Sequence, residues 1–198
     1  NKPNPEKEQA YQKAASILAA DESFFPIIDE ELYYFTNQTL DSITPVYINE
    51  QDAVKKLMKQ ETWLAFTTRD FTANERQSLI SQKYLPRAIP VAYDGLAIIV
   101  NNSNPDSCIT IKDFASILKG EIKEWKEIYP QNKLGVIDVV FDNPLSSTVR
   151  WCVDSILDGK PINSPNIYAA KTSAEVINYV EQHANSIGII GSNWLNDK

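Results

Sequence analysis

The sequence contains few of the residues that build metal sites and covalent catalytic sites. Among 198 residues there are two cysteines, Cys108 and Cys152, and one histidine, His183. This content excludes a usual zinc site, and the two cysteines form no CxxC pair. Cys152 lies among apolar residues of a predicted helix, which favours a buried free thiol over a disulfide with Cys108. His183 is placed near the end of a predicted helix, where interaction with the helix dipole is favoured over catalysis.

An excess of positive charge and a long apolar run are also absent. The formal net charge is −7, which argues against a protein that binds nucleic acid by neutralising many phosphates. No run reaches the roughly 18 apolar residues of a membrane helix, and "NKPNPEKEQAYQK" lacks the apolar core of a signal peptide. If the protein is exported, its signal has therefore been removed from this sequence.

Common catalytic motifs are missing as well. The chain contains no HExxH, GxSxG or P-loop motif. We therefore predict that the protein is not an enzyme, has no catalytic residue, and uses neither a metal nor another cofactor.

What the sequence does contain is an alternation of short β-rich runs with helical stretches, which predicts an α/β fold with mostly parallel strands. Strands are predicted in "ASILAAD", "ITPVYI", "WLAFTT", "LGVIDVVF" and "SIGIIG". The helix "TANERQSLISQ" begins at Thr72 with Glu75 three residues later, which is the spacing of a capping box. The long extended segment "YLPRAIPVAYDGLAIIVNNSNP" lies between the two halves of the pattern and predicts a crossing from one lobe to another.

Three predicted strand-to-helix turns, "ADESFFP", "FTTRDFT" and "NPLSSTVR", carry hydroxyl side chains. The first N–H groups of a helix have no partner within the helix and lie at its positive end, so such turns bind anions in open α/β sheets. Ser and Thr are also preferred helix N-caps, so capping remains the alternative role. Candidate anion ligands are the hydroxyls of Ser23, Thr68, Ser146, Ser147 and Thr148, with Arg69 or Arg150 supplying positive charge.

The central segment "IPVAYDGLAIIVNNSNPDSCITIKDFASILKGEIKEWKEI" resembles the substrate-binding proteins of phosphate ABC transporters, the PstS type. The turns "ADESFFPIIDEE" and "FTTRDFTANE" and the segment "SIGIIGSNW" fit the same template. "FDNPLSSTVRW" is similar to the form seen in the Bacteroidetes branch of the family. The resemblance covers roughly residues 14 to 196.

This resemblance implies a two-lobed type II periplasmic-binding-protein-like fold with mixed sheets, which traps its ligand in the cleft between the lobes. Residues 1–13 would be a polar N-terminal spacer, 14–92 plus 187–198 the first lobe, and 93–186 the second lobe. Family members continue beyond the return crossing, so the first lobe is expected to be incomplete at its C-terminus. The alternatives are a processed chain, a short branch of the family, or a partner chain that covers the gap.

The resemblance also implies functional residues. Ser23 and Phe24 match a family Thr and Phe that contact phosphate through a hydroxyl and a backbone N–H. Thr68 falls where the family often has a proton-accepting Asp or a Ser before Arg, and Arg69 matches that Arg. The family motif that holds the anion at a helix N-terminus corresponds to Ser146, Ser147 and Thr148.

The implied protein binds phosphate or a similar small oxyanion in the periplasm or cell envelope for uptake by an ABC transporter membrane permease. A monomer that is peripheral to the membrane or lipid-anchored, as a lipoprotein, is expected. Two departures from the family pattern, Asp142 and Glu50, place acids where the family has a cation or a glycine-serine turn. Arg69 or Arg150 would compensate, or the ligand is a different oxyanion or carries a positive group. The alternative function is a degenerate binding-protein-like domain that serves protein interaction or envelope signalling.

Overall fold

A computed structural model describes residues 5–196, and the chain divides into two compact units, the first ending at Tyr93 and the second beginning at Asp94. The elements of the first unit are α1 (Pro5–Ala15), β1 (Ile17–Asp21), α2 (Phe25–Thr39), β2 (Thr44–Ile48), α3 (Glu50–Met58), β3 (Leu64–Phe66) and α4 (Ala73–Ser81). Those of the second are β4 (Leu96–Val100), α5 (Ile111–Leu118), β5 (Asp138–Phe141), α6 (Ser147–Trp151), β6 (Ile167–Ala169), α7 (Ser173–Gln182) and β7 (Ser186–Gly191). A π-helix (Cys152–Ile156) continues α6, and 3₁₀ helices cover Glu22–Phe24, Trp125–Glu127 and Ser192–Asn196.

The first unit contains a parallel three-stranded sheet in the order β2-β1-β3. Parallel strands require a crossover after each strand, and α2 and α3 supply these crossovers, as the alternating pattern predicts. The buried cluster of this unit is small and consists of Leu18, Ala20 and Ile28, with partly buried residues such as Phe24 packed against it. Thr72 and Glu75 form the predicted capping box at the start of α4. The strand and helix pattern predicted for this half is confirmed.

The second unit contains a mixed four-stranded sheet in the order β4-β7-β5-β6, in which β4 is antiparallel to β7 and the other pairs are parallel. Its main core is larger than that of the first unit and is built around Trp125, Phe114 and Phe141, each at most 2% exposed. Strand β6 has three exposed residues and was not predicted from the sequence. The predicted α/β fold with mixed sheets is confirmed.

The structure divides the chain at different places from the predicted boundaries. Strand β7 covers most of "SIGIIGSNW", which was predicted to return to the first lobe, but it hydrogen-bonds to both β4 and β5 of the second sheet. Residues 5–15, most of the predicted spacer, form helix α1 because "PEKEQAYQKAA" is rich in strong helix formers. This helix packs onto the first unit through buried Ala14 and through the ring of Tyr11, whose centroid lies 4.0 Å from that of Trp63.

One glycine sets the distance between helix α7 and the second sheet. A Cβ atom on Gly188 of β7 would lie 2.8 Å from Cγ1 of Val176 and 2.8 Å from Cγ2 of Val180. Carbon atoms pack at about 3.5–4.0 Å, so any other residue here would force the helix away from the strand. The close packing of α7 on β7 therefore depends on Gly188.

The residues that were scarce in the sequence occupy structural positions. Cys152 is a buried free thiol, as predicted, and burial raises its pKa to about 12. Cys108 is free and exposed. His183 forms the C-cap of α7, and its Nδ1 lies 2.8 Å from the carbonyl oxygen of Tyr179. The interpretation of His183 as a residue of the helix end is confirmed.

Candidate functional site

The first hydroxyl-bearing turn follows β1 directly. Asp21, the last residue of β1, is 1% exposed, and its Oδ1 accepts hydrogen bonds from the Ser23 backbone N–H (3.1 Å) and hydroxyl (2.7 Å). Ser23 is itself buried, while Phe24 is partly buried and packs in the core of the unit. The single hydroxyl proton of Ser23 is therefore donated to a carboxylate.

A second carboxylate receives the hydroxyl of the turn that follows β3. Glu50 is the first residue of α3 and is 1% exposed. Its Oε1 accepts hydrogen bonds from the Thr68 backbone N–H (2.8 Å) and from the Thr68 hydroxyl (2.6 Å). Thr68 is exposed, but both of its donors are directed at Glu50.

Register brings these two turns and the turn after β2 to one edge of the first sheet. Asp21 pairs with Ile48, and Ala20 pairs with Phe66. Because the carboxyl ends of parallel strands meet at one edge, Ser23, Glu50 and Thr68 follow strands that end side by side. The turns that contain Ser23 and Thr68 therefore lie at the same edge of the first sheet.

The positive charge of Arg69 is already balanced within the first unit. Its Nη1 lies 2.7 Å from Glu75 Oε2 and its Nη2 lies 2.9 Å from Glu75 Oε1, which is a bidentate pair. Its Nε lies 3.6 Å from Glu50 Oε2. The hydrogen bonds from the Arg69 guanidinium lower the pKa of Glu75 to about 2. Arg69 therefore orders the loop before α4 through Glu75 and also lies close to the buried Glu50.

The lowered pKa of Glu75 predicts acid-sensitive stability. Because its pKa in the folded chain is about 2 and the ordinary value is 4.5, the ion pair stabilises the fold fully above about pH 4.5 and is lost as the pH falls towards 2. We expect the free energy of unfolding to decrease across this interval, and to decrease less in Glu75→Gln. Urea unfolding followed by circular dichroism at several pH values measures this, with exposed Glu31→Gln as the control. Identical pH profiles for Glu75→Gln and the wild-type chain would contradict the prediction.

The turn of the second unit that follows β5 contains a chain of buried hydrogen bonds. Asp142, Ser146 and Thr148 are at most 2% exposed. The backbone N–H of Val149 donates to Ser146 Oγ (3.3 Å), Ser146 Oγ lies 2.8 Å from Thr148 Oγ1, and the Thr148 hydroxyl donates to Asp142 Oδ1 (2.8 Å). Ser146 is also the N-cap of α6.

The number of hydroxyl protons decides which group is the donor in each of these hydrogen bonds. Thr148 has one hydroxyl proton and donates it to Asp142. Ser146 must then be the donor in its contact with Thr148, since Thr148 has no second proton to offer. The series of donors thus runs from Ser146 to Thr148 and ends at Asp142, which was predicted only as an acid at the position of a family arginine.

The last two candidate ligand residues, Ser147 and Arg150, lie close in sequence to these hydrogen-bonded side chains. Ser147 is buried and begins α6, directly between Ser146 and Thr148. Arg150 lies one turn further along, and its Nη1 is 3.3 Å from Asp154 Oδ2 in an i,i+4 pair. Like Arg69, Arg150 has an acidic partner within its own unit.

Two negative findings apply to the described residues. Across residues 5–196, no helix is both long enough and apolar enough to span a membrane. Within the same range, no group of three or more His, Cys, Asp or Glu side chains is arranged to hold a metal ion.

A known protein family matches almost the whole chain. The model of the family described as PBP superfamily domain matches residues 8–198. The chain belongs to the PBP superfamily. No curated protein matches it in sequence.

Solved structures show the fold of this PBP superfamily domain. A protein from Clostridium perfringens, named as a phosphate ABC transporter substrate-binding protein with bound phosphate, matches with a TM-score of 0.75 at 23% identity, covering 90% of this chain and 70% of that chain. An ABC-type phosphate transport receptor from Vibrio cholerae matches with a TM-score of 0.63 at 21% identity, with coverages of 88% and 70%. A phosphate-binding protein from Stenotrophomonas maltophilia matches with a TM-score of 0.66 at 14% identity, with coverages of 89% and 60%.

These matches confirm the predicted type II periplasmic-binding-protein fold and the resemblance to phosphate-binding proteins. Because the family and the matched structures are those of binding proteins, they also confirm the prediction that this PBP superfamily domain is not an enzyme. Sequence reasoning placed the hydroxyls in the correct turns but did not find Asp21 as a partner of Ser23 or Glu50 as a partner of Thr68. A usable signal was present for Asp21 and Asp142, since each is an acid at the carboxyl end of a strand, immediately before a hydroxyl-bearing turn.

Proposed function

We propose that this chain is an extracytoplasmic solute-binding protein that binds phosphate or a similar small oxyanion and delivers it to an ABC transporter membrane permease. The observation that carries the proposal is the repeated placement of hydroxyl residues at strand-to-helix turns. Ser23 and Thr68 occupy such turns in the first unit, and Ser146 to Thr148 do so in the second. The family match and the phosphate-binding proteins of the same fold support this assignment.

The proposal includes location and assembly. We place the protein in the periplasm or cell envelope as a monomer, attached to the membrane peripherally or by a lipid anchor. The ligand residues proposed are Ser23, Phe24, Thr68, Arg69, Ser146, Ser147, Thr148 and Arg150. Because the hydroxyl protons of Ser23, Thr68 and Thr148 are donated to carboxylates, these hydroxyl oxygens would accept hydrogen bonds from a protonated oxyanion. Backbone N–H groups at the turns would donate to its other oxygens.

Isothermal titration calorimetry with phosphate, sulfate and molybdate tests the proposal. Ser146→Ala is the main variant, and Thr172→Ala is its matched control. Both residues are N-caps in the second unit, where Ser146 accepts from Val149 and Thr172 accepts from Glu175 at 3.2 Å. Each substitution is expected to cost about 1 kcal/mol of stability through loss of the cap. Only Ser146→Ala should also weaken binding, by about fivefold or more, because it removes a hydroxyl next to the ligand.

One result would overturn the proposal. A folded wild-type chain that releases no heat with any of these ions, and whose melting temperature none of them raises, is not an oxyanion-binding protein. If Ser146→Ala and Thr172→Ala bind the ion with equal affinity, the chain still binds an oxyanion but Ser146 is not part of the site.

A second candidate function is protein interaction by a degenerate binding domain. The observation that favours it is a buried carboxylate hydrogen-bonded to a hydroxyl residue of every such turn, because Asp21, Glu50 and Asp142 are each 1% exposed and lower the affinity for a dianion. Absence of oxyanion binding, together with capture of a partner that Thr148→Val does not affect, would favour this function over the first.

A further inference from the structure

Asp142 is a buried carboxylate with one unused oxygen. Oδ1 accepts the Thr148 hydroxyl, while Oδ2 has no hydrogen-bond partner among residues 5–196. No Lys or Arg side chain in that range forms an ion pair with it. A buried carboxylate is costly unless it is both paired and hydrogen-bonded. Asp142 therefore needs a donor that the described part of the chain does not supply.

The surrounding hydroxyls cannot supply this donor. Ser146 donates to Thr148 and Thr148 donates to Asp142 Oδ1, so the hydroxyl proton of each is already used. The nearest arginine in sequence, Arg150, pairs with Asp154 instead. The chain of hydroxyls thus holds Asp142 in place as an acceptor and leaves Oδ2 for a group from outside the protein.

The missing donor carries positive charge by the same physical argument. A protonated oxyanion could donate a hydrogen bond to Oδ2, but it would also bring net negative charge next to a buried carboxylate. Like charges at short range repel strongly in a low dielectric. An ammonium group donates a hydrogen bond and neutralises the carboxylate at once. Charge-assisted bonds of this kind are about twice as strong as neutral ones.

We propose that Asp142 selects an oxyanion that carries an ammonium group, so that the ligand is a small zwitterion such as an aminoalkyl phosphonate or an amino-alcohol phosphate. This inference rests on the proposed function, because the anionic end of the ligand uses the oxyanion contacts described above. Asp142 Oδ2 accepts an N–H of the ammonium group. Asp142 is then a specificity-determining residue that favours zwitterionic ligands over inorganic phosphate.

The wild-type chain alone provides the first test. Two probes differ only in the amine, namely 2-aminoethylphosphonate and ethylphosphonate, and inorganic phosphate and sulfate complete the set. Isothermal titration calorimetry at neutral pH is expected to show 2-aminoethylphosphonate binding at least about tenfold tighter than ethylphosphonate, which is the size of one hydrogen bond to a charged group.

Asp142→Asn tests the residue. It keeps the shape and the acceptor for Thr148 but removes the charge, and it should abolish the difference between the two phosphonates. The control is Glu121→Gln, which removes the same charge from an exposed carboxylate that accepts the Ser116 hydroxyl at 2.9 Å in the same unit. The control should keep the wild-type preference. Circular dichroism establishes that each variant is folded, and the comparison in the wild-type chain stands without the variant.

The possible outcomes separate this inference from the proposed function. Binding of phosphate with equal affinities for the two phosphonates would overturn the inference and leave oxyanion binding in place. Binding of phosphate but not sulfate, with no gain from the amine, would also overturn it, because the donor would then be the proton of the oxyanion itself. No binding of any probe would overturn both. A preference for the amine that persists in Asp142→Asn would assign it to another residue.

Discussion

Replacing Glu50 with alanine is expected to lower the free energy of unfolding of the first unit by about 3 kcal/mol or more, because it removes two hydrogen bonds to a charged group, each worth about 1.5–3 kcal/mol. Glu50 is 1% exposed, and its Oε1 accepts both the backbone N–H and the hydroxyl of Thr68. Its Oε2 lies 3.6 Å from Nε of Arg69. Alanine would leave both Thr68 donors without this acceptor and Arg69 with one fewer carboxylate.

Urea unfolding followed by circular dichroism measures this loss, and hydrogen exchange detected by mass spectrometry assigns it to β1, β2 and β3. The control is Glu61→Ala, which breaks the surface pair of Glu61 with Lys56 at 2.9 Å. Exposed pairs of this kind contribute little to stability. A loss from Glu50→Ala that is no larger than the loss from Glu61→Ala would show that the Glu50 network does not stabilise the unit.

Replacing Trp125 with alanine is expected to destabilise the second unit by about 3–5 kcal/mol, the usual range for removing a large aromatic side chain from a core. Trp125 is 1% exposed and lies in the main hydrophobic cluster. Its Nε1 donates to the carbonyl oxygen of Asn185 at 2.9 Å, just before β7. The substitution therefore leaves a cavity and removes one of the two hydrogen bonds to this carbonyl, the other coming from the Asp138 backbone N–H at 3.3 Å.

Trp151→Ala is the matched control because it removes the same side chain from the same unit, where it is 40% exposed. Its expected loss is less than half that of Trp125→Ala. Denaturation followed by far-ultraviolet circular dichroism compares the two without depending on tryptophan fluorescence. Equal losses would mean that the cluster around Trp125 is not the main core of the second unit.

The destabilisation expected for Glu50→Ala and for Trp125→Ala should also affect ligand binding. The Glu50 network holds Thr68 and Arg69 at the carboxyl edge of the first sheet, and the Trp125 cluster supports the sheet from which the turn of Asp142 emerges. Variants that loosen either unit should weaken ligand binding indirectly. For this reason the binding experiments use Ser146→Ala and Asp142→Asn, which change one group in the turn and leave these networks in place.

The sequence alone was enough to predict the order of strands and helices and the position of the hydroxyl-bearing turns. These features depend on residues close together in the chain, as in the capping box of Thr72 and Glu75, where the side chain of each residue satisfies the backbone N–H of the other. Helix α1 was missed because its polar composition also suits a spacer, and Ala14 is buried only by tertiary packing. Strand β6 was missed because three exposed residues have no apolar alternation.

Only the tertiary structure decided what the hydroxyls do. Glu50 and Thr68 are 18 residues apart and meet because β2 and β3, the strands that they follow, both pair with β1, which no local pattern specifies. Strand β7 joined the second sheet for the same reason, since its partners β4 and β5 are distant in sequence. The sequence by itself determined that this protein has an α/β fold with hydroxyl-bearing strand-to-helix turns of the kind that bind anions. The structure decided that a hydroxyl residue of each turn is hydrogen-bonded to a buried carboxylate, because hydrogen bonding across strands and turns is set by which elements pack together.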